Sequence, residues 1–274
     1  PSFTPATDEE YEELRARARA KLMTVASAMC GEEVPENAVL VGIGGRYEWK
    51  NKGIDVYIDA LNKLNNSEFK GKTVHAFIMI PSGHNGPDKQ LLSKLAGNPS
   101  GYVTRTSHYL MNPEYDAVIN RLNALNFNNA IGDKVKVYFI PSYLNGNDGV
   151  FNMSYYDLLV GLDLTLFPSY YEPWGYTPLE SCAFNTPCIT TDLSGFGQWV
   201  NEVLGHEGTL QDGVRVIPRT DGNYYEVAAD MCACITEMLD MKAAEVDEVR
   251  KNAAALAAQA QWKHFIKHYY EAYA

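Results

Sequence analysis

The chain is organised around the segment Ser169-Tyr-Tyr-Glu-Pro-Trp-Gly-Tyr-Thr-Pro-Leu-Glu180. The apolar run before it, Leu164-Thr-Leu-Phe167, stops at a proline and is typical of a buried strand. Gly175 permits a tight turn, and Thr177-Pro-Leu-Glu180 has the spacing of a capping box. The segment therefore predicts a buried strand, a glycine turn and a helix with Thr177 as its N-cap.

This arrangement favours an anion site, because the unpaired N–H groups and the positive dipole end of a helix N-terminus point the same way. Two carboxylates, Glu172 and Glu180, flank the predicted site. They suggest recognition of sugar hydroxyls, or of a sugar cation that forms beside a departing phosphate. The aromatic side chains of the loop either stack on such a ligand or pack against the protein. These aromatic residues are Tyr170, Tyr171, Trp174 and Tyr176.

Composition excludes several classes of function. With 274 residues and 46% hydrophobic residues, the chain is long and apolar enough for a globular core. Its net charge of −11 argues against a nucleic-acid partner, because clustered Lys and Arg hold phosphate backbones. No apolar run is long enough to cross a membrane, and the five cysteines contain no Cys-x-x-Cys pair. We therefore expect a cytoplasmic protein with reduced, buried thiols.

Strand and helix patterns alternate along the rest of the sequence. Helices are predicted at residues 8–30, 51–65, 112–128, 155–160 and 262–273. Strands are predicted at residues 38–43, 73–80, 134–140, 187–190 and 214–217. Because the strands are apolar throughout, they indicate an α/β fold with a doubly wound parallel sheet, covered on both faces. The loops that begin at Gly44, Glu172 and Ser194 each follow a strand, so we expect them to meet in one crevice.

A second informative segment is Gly44-Gly-Arg-Tyr-Glu-Trp-Lys-Asn-Lys-Gly-Ile-Asp55. Arg46 leaves the strand end, and we place Lys52 in the first turn of the next helix. A guanidinium and an ammonium group together suit a diphosphate, which they recognise through planar and point-charge contacts respectively. The alternative is that Arg46 pairs with Glu172 or Glu48, and that Lys52 is a solvated surface lysine.

Two cofactor hypotheses fail, the first because a glycine is missing and the second because a third metal ligand is missing. Gly42 and Gly44 are followed by Tyr47 where a dinucleotide fingerprint needs its third glycine, so NAD binding is not expected. His264 and His268 share a helix face at metal-ligand spacing, but they lie among lysines and have no third ligand nearby. We predict neither a metal site nor a cofactor.

The segments Tyr170–Glu180 and Gly45–Asp55 together resemble the glycogen synthases, and the similarity extends through Thr190–Gly197. Members of this family are retaining glycosyltransferases of the GT-B fold. The resemblance implies that residues 1–274 are a single Rossmann-like, donor-binding domain, the C-terminal half of a GT-B fold.

Two boundaries follow from the same resemblance. Residues 1–37 would form a connecting helical region. Residues 262–274 would form a C-terminal helix that packs toward the N-terminal half.

The resemblance also implies roles for individual residues. Glu172 would lie under the transferred glucose and take part in catalysis, while Arg46 and Lys52 would grip the diphosphate and stabilise it as the leaving group. Glu180 would hold the ribose hydroxyls, and backbone N–H groups around Tyr176 and Thr177 would bind the distal phosphate. The implied donor-binding residues are Glu180, Gly175, Tyr176, Thr177 and Tyr155, with Tyr155 or its neighbour Tyr156 stacking on the base.

The function implied is transfer of glucose from UDP-glucose or ADP-glucose to the end of an α-1,4-glucan, with retention of configuration. The acceptor would bind through an N-terminal domain that we do not find in this sequence, so we expect the chain alone to bind donor weakly without turnover. Eukaryotic members of the family that this sequence resembles sense a sugar phosphate through an arginine cluster in the final helices. Arg250 is the single arginine after Arg219 in this sequence, so we do not expect that regulation here. Two alternatives stay open: another retaining GT-B enzyme, such as a sucrose- or trehalose-type synthase, and a non-catalytic nucleotide-sugar or glycan-binding module.

Overall fold

Strands and helices alternate along the chain in the structure, a computed structural model that describes residues 4, 7–261, 264–266 and 270–271. The strands are β1 Val39–Gly44, β2 Val74–Met79, β3 His84–Pro87, β4 His108–Leu110, β5 Val135–Phe139, β6 Leu164–Leu166, β7 Cys188–Thr191 and β8 Val214–Ile217. The helices are α1 Asp8–Cys30, α2 Ile54–Asn65, α3 Lys89–Leu95, α4 Ala117–Ala124, α5 Tyr155–Leu159, α6 Tyr176–Ala183, α7 Gly195–Leu204, α8 Tyr224–Asp240 and α9 Ala243–Gln259. Short 3₁₀ turns occupy Pro113–Tyr115 and Leu210–Asp212.

Six of these strands form one sheet in the order β5-β2-β1-β6-β7-β8. Every neighbouring pair is parallel, and Val41 of β1 pairs with Ala76 on one side and with Leu164 on the other. From β1 the chain winds outward through β2 and β5, and then returns to β6 and winds the opposite way. This is the doubly wound, Rossmann-like order, and its switch point lies between β1 and β6.

The sheet separates two hydrophobic cores, because successive side chains of a strand point to opposite faces. Val41 and Ala76 belong to the core that includes buried residues of α2, α4 and α8. Leu40 and Phe77 belong to the core on the other face, with buried residues of α1, α3 and α5. Helices therefore cover both faces, and the predicted fold class is confirmed.

The segment between β2 and β5 differs from its prediction. The predicted helix at residues 112–128 is divided into the 3₁₀ turn Pro113–Tyr115 and the helix α4. Asp116 separates them, because its backbone is extended and its carboxylate caps α4 by accepting a hydrogen bond from the Ile119 N–H at 2.9 Å. The short strands β3 and β4 also pair antiparallel outside the main sheet. Neither strand has an alternating apolar pattern, so the sequence did not reveal them.

The cysteines are free and buried, as predicted. Cys182 and Cys188 approach each other, with 3.7 Å between their sulfur atoms. No helix in the described ranges has the length and apolar content required to cross a membrane. The predicted final helix at residues 262–273, including His268, falls mostly outside the described residues.

Candidate functional site

Two loops meet at the switch point of the sheet, one after β1 and one after β6. The N–H of Tyr170 donates a hydrogen bond to the carbonyl oxygen of Asn51, 2.8 Å away. Gly53 lies against Pro168 so closely that a Cβ atom at Gly53 would be 2.1 Å from the Pro168 carbonyl oxygen. Gly53 also has φ 69°, which favours glycine. This close approach brings the two predicted functional segments together.

The loop after β7 holds the loop after β6 from its other side. The Thr191 hydroxyl donates to the Ser169 carbonyl oxygen at 2.8 Å. The Glu172 N–H donates a hydrogen bond to the Leu193 carbonyl oxygen at 3.2 Å. The Glu172 carbonyl oxygen accepts a hydrogen bond from the Gly195 N–H at 3.1 Å. These bonds fix the backbone of Glu172, so its carboxylate extends from a rigid position.

That carboxylate forms an ion pair with Lys52, through Oε2 and Nζ. The side chain of Lys52 is 12% exposed and that of Glu172 is 20% exposed, so the pair is mostly shielded from solvent. The interpretation of Lys52 as a solvated surface lysine is wrong. Its predicted place in the first turn of a helix is also wrong, because α2 begins at Ile54 and Lys52 lies in the preceding turn.

Arg46 has a different environment. Its side chain is 79% exposed and pairs with Glu48 at 2.9 Å, the alternative weighed from the sequence. Arg46 leaves the carboxyl end of β1 as predicted and lines a cleft beside that strand end. The convergence of Arg46 and Lys52 on one phosphate group stays a prediction.

The helix after the glycine turn begins earlier than predicted. Gly175, with φ 103°, occupies the N-cap position, and α6 starts at Tyr176. Thr177 is therefore not the N-cap, and the predicted capping box is wrong. Pro178 remains compatible with the first turn, since the N–H that it lacks has no partner within the helix there. The backbone N–H groups of Tyr176 and Thr177 still belong to the helix N-terminus.

Because Glu180 does not cap the helix, its carboxylate is available for other contacts. Its Oε1 atom accepts a hydrogen bond from the Tyr156 hydroxyl at 3.0 Å. Partial burial raises the pKa of Glu180, and the hydrogen bond from Tyr156 opposes that rise. Glu180 thus lies in a drier environment than an ordinary surface glutamate.

Glu180 lines a cleft of about 420 Å³ at the carboxyl ends of the strands. The cleft also contains Arg46, Tyr155, Tyr156 and Thr177. The hydroxyl oxygen of Tyr155 is buried, and among the described residues it has no hydrogen-bond partner. The cleft thus combines candidate residues from the loop after β1, from α5 and from α6.

The cleft does not unite all the predicted residues. Among the described residues, Lys52 and Glu172 do not line this cleft. Tyr176 is 70% exposed and lines a separate apolar cavity of about 500 Å³ together with Trp174. Trp174 packs edge-on against Phe196, with ring centroids 6.1 Å apart, so this loop aromatic has a packing role.

Sequence reasoning missed Arg219. Its guanidinium is buried, donates to the Pro168 carbonyl oxygen and lies 5.3 Å from the centre of the Tyr170 ring. Burial lowers the pKa of Arg219 below its ordinary value, and the nearby Asp55 carboxylate offsets only part of this shift. Arg219 follows β8, so its position at the carboxyl edge was the only signal in the sequence.

The six-stranded parallel sheet with its flanking helices defines a Rossmann-like domain of the kind found in GT-B glycosyltransferases. Similar solved structures include a sucrose-phosphate synthase from Thermosynechococcus elongatus, with a TM-score of 0.52 and 19% identity over 95% of this chain and 49% of that one. The N-terminal domain of a trehalose-6-phosphate phosphatase from Candida albicans has a TM-score of 0.50 and 12% identity, over 94% of this chain and 46% of that one. These likenesses concern the fold alone.

The sequence assigns the family. The glycogen synthase family model matches residues 9–94 and 88–274, and the chain belongs to this family. Glycogen [starch] synthase isoform 2 of Saccharomyces cerevisiae is 28% identical over 247 residues, which cover 67% of this chain and 35% of that protein. The liver glycogen [starch] synthase of Mus musculus is 25% identical over 257 residues, covering 74% of this chain and 36% of that protein. The chain thus spans little more than a third of the length of these relatives.

Proposed function

We propose that this domain binds a nucleoside-diphosphate glucose, UDP-glucose or ADP-glucose, as the donor for a retaining glucosyltransferase that extends an α-1,4-glucan. The observation that carries the proposal is the meeting of Lys52 and Glu172 where the β1 and β6 loops join, directly before the N-terminus of α6. A cation, a carboxylate and a helix N-terminus in one place suit a sugar–phosphate bond. Membership of the glycogen synthase family supports glucose as the sugar and glucan as the acceptor.

The proposed chemistry follows from the charges that develop as the sugar–phosphate bond breaks. Negative charge grows on the diphosphate, where Lys52, Arg46 and the N–H groups at the start of α6 stabilise it. Positive charge grows on the glucose ring, where the Glu172 carboxylate stabilises it. Because hydrogen bonds fix the backbone around Glu172, little reorganisation is needed during the reaction.

The nucleoside part of the donor is assigned to the cleft beside β1. In this proposal the Glu180 carboxylate accepts from the ribose hydroxyls, and Tyr155 or Tyr156 lies against the base. Both tyrosines line the cleft, and its volume of about 420 Å³ falls within the range of small-molecule sites.

Calorimetric titration of the 274-residue chain with UDP, ADP and their glucose conjugates tests the proposal. We expect saturable binding to one base, weakened about tenfold by Arg46→Ala and by Glu180→Ala, because each removes a charged hydrogen-bonding group. Arg17→Ala, at an exposed position on α1, is the matched control and should bind normally. Failure of the wild-type chain to bind either nucleotide would contradict the proposal.

A second measurement addresses transfer itself. We expect the 274-residue chain to bind donor without transferring glucose to a maltooligosaccharide, since it matches only 35% to 41% of the length of its yeast relatives. Radiolabelled donor and a maltooligosaccharide ladder would detect transfer. Elongated products from the purified chain would refute this expectation.

A further inference from the structure

Tyr156 lies on α5, and its side chain contacts α6 across the cleft through Glu180 and Phe184. A capping box of Ser154 and Asp157 fixes the start of its helix, α5. The Tyr156 ring stacks on Phe184 at a centroid distance of 5.6 Å and an interplanar angle of 20°. It also meets the Tyr155 ring edge-on at 5.6 Å. These contacts restrict the ring, so its hydroxyl group is aimed in one direction.

The hydroxyl is aimed at Glu180. The donor lies on α5 and the acceptor on α6, 24 residues later in the sequence. A hydrogen bond to a carboxylate oxygen is stronger than one between neutral groups. It also selects one orientation of the Glu180 side chain, which otherwise has several rotamers.

The bond leaves the second carboxylate oxygen for another donor. Within the described residues, the hydrogen bond from Tyr156 is the one that the structure shows to the Glu180 carboxylate. Its Oε1 is occupied, while Oε2 has no such partner. Both residues line the cleft, and Tyr156 is 40% exposed. A ligand hydroxyl group therefore has a carboxylate oxygen available in a defined direction.

We propose that Tyr156 is a positioning residue for donor recognition, which orients Glu180 so that Oε2 accepts a hydrogen bond from a ribose hydroxyl. This inference rests on the proposed function. It assigns to the site a preference for ribonucleoside over deoxyribonucleoside diphosphates, and it makes that preference depend on a residue that does not itself contact the ribose.

A purely structural role for Tyr156 predicts something different. If the hydrogen bond only joined α5 to α6, its loss would lower stability and would weaken all nucleotides by the same factor. If the bond orients Glu180, its loss weakens the ribonucleotide selectively. The ratio of two affinities separates these roles, because a general loss of folded protein cancels from it.

The test compares wild-type chain with Tyr156→Phe, which keeps the ring that stacks on Phe184 and removes the hydroxyl. Each protein is titrated with the diphosphate of the preferred base and with its 2′-deoxy and 3′-deoxy analogues. We expect the wild-type preference for the ribonucleotide to fall about fivefold in Tyr156→Phe, with deoxy affinities nearly unchanged. Tyr225→Phe makes the same chemical change at an exposed tyrosine outside the cleft and should preserve the preference.

The outcomes are distinguishable. A reduced ratio in Tyr156→Phe supports the inference, whatever its melting temperature. An unchanged ratio overturns it, whatever happens to absolute affinity, while nucleotide binding by the wild-type chain still supports the proposed function. A wild-type chain that binds neither base overturns the proposed function and the inference together. Glu180→Gln supplies a second check, because Tyr156→Phe should alter the ratio little when the carboxylate is already lost.

Discussion

Lys52 and Glu172 hold opposite charges in a mostly buried contact, although the proposed function assigns them to different parts of the donor. Lys52 would hold phosphate, whereas Glu172 would lie under glucose. A diphosphate must therefore compete with the Glu172 carboxylate for the Lys52 ammonium group. The pair keeps each charge compensated, because an isolated charge at this depth would be costly.

This competition predicts that Glu172→Gln binds nucleoside diphosphate more tightly than the wild-type chain. Removing the carboxylate charge frees Lys52 for phosphate, and we expect an affinity gain of about tenfold by calorimetry. In a protein that transfers glucose, the same change should abolish most activity, because the carboxylate that stabilises the sugar cation is lost. Glu226→Gln, at an exposed position on α8, should leave affinity unchanged. Unchanged or weaker binding by Glu172→Gln would refute the competition.

At the scale of single residues, the sequence identified Glu172, Lys52 and Arg46 as candidates. It suggested the ion pair of Arg46 with Glu48 but not that of Lys52 with Glu172. The Arg46–Glu48 contact is local, so spacing alone suggested it. The Lys52–Glu172 pair joins residues 120 positions apart, and it depends on the turn that precedes α2. Side-chain contacts of this range follow from the assembled fold, which the sequence pattern does not resolve.

Elements were predicted well where hydrophobic periodicity is strong and less well where a turn sets the boundary. The main-sheet strands and the long α1 helix follow their apolar patterns to within about two residues. The start of α6 was misplaced, because Gly175 adopts a left-handed conformation that ends the preceding turn and lets the helix begin at Tyr176. Capping chemistry favoured Thr177, but the backbone geometry of the glycine determined the boundary.

The turn between β1 and α2 allows a test of whether the loops after β1 and β6 must lie in close contact. Gly53→Ala introduces a Cβ atom 2.1 Å from the Pro168 carbonyl oxygen, in addition to the strain of a positive φ. Gly205→Ala is the matched control, since Gly205 has φ 74° but no neighbour within 4 Å of the added Cβ. We expect the control to lose roughly 1 kcal/mol of unfolding free energy and Gly53→Ala to lose about 2 kcal/mol more.

Urea denaturation of both variants measures this difference. Nucleotide affinity should fall in Gly53→Ala alone, because the displaced turn carries Lys52. Equal destabilisation of the two variants would mean that the loops after β1 and β6 can separate at no extra cost. It would contradict the idea that the site requires the close contact between Gly53 and Pro168.

At the scale of the whole molecule, the parallel sheet was predictable because its strands are apolar on both faces. The polar network that joins α1 and α9 to the sheet was not. Asp163, directly before β6, accepts hydrogen bonds from Arg15 at 2.7 Å and Arg19 at 2.8 Å, both on α1. Arg250 of α9 is buried nearby and donates to the Leu162 carbonyl oxygen at 3.1 Å. Neither spacing nor periodicity in the sequence connects these residues.

Asp163 should therefore contribute strongly to global stability, and its contribution should depend on pH. Although burial raises its pKa, the guanidinium groups of Arg19, Arg15 and Arg250 lower it, and the net result lies below the ordinary value of 3.8. A group whose pKa is lower in the folded state stabilises fully above its unfolded pKa and loses that contribution as pH falls through the folded pKa. We expect Asp163→Asn to lose about 3 kcal/mol of unfolding free energy at pH 7, because it leaves the partly buried guanidinium groups of Arg15 and Arg19, and the buried one of Arg250 nearby, without a compensating carboxylate.

The difference in unfolding free energy between wild type and Asp163→Asn should stay constant from pH 7 down to about pH 5 and shrink once the pH falls below 3.8. Urea denaturation across this range measures it, with Asp221→Asn at an exposed turn as the control. Burial lowers the pKa of His75 to about 4, so both proteins lose stability through this group as the pH falls from 6.5 to 4. The loss is the same in both and therefore cancels from the difference. A difference that shrinks already above pH 5 would contradict the assignment of this pH dependence to the Asp163 carboxylate.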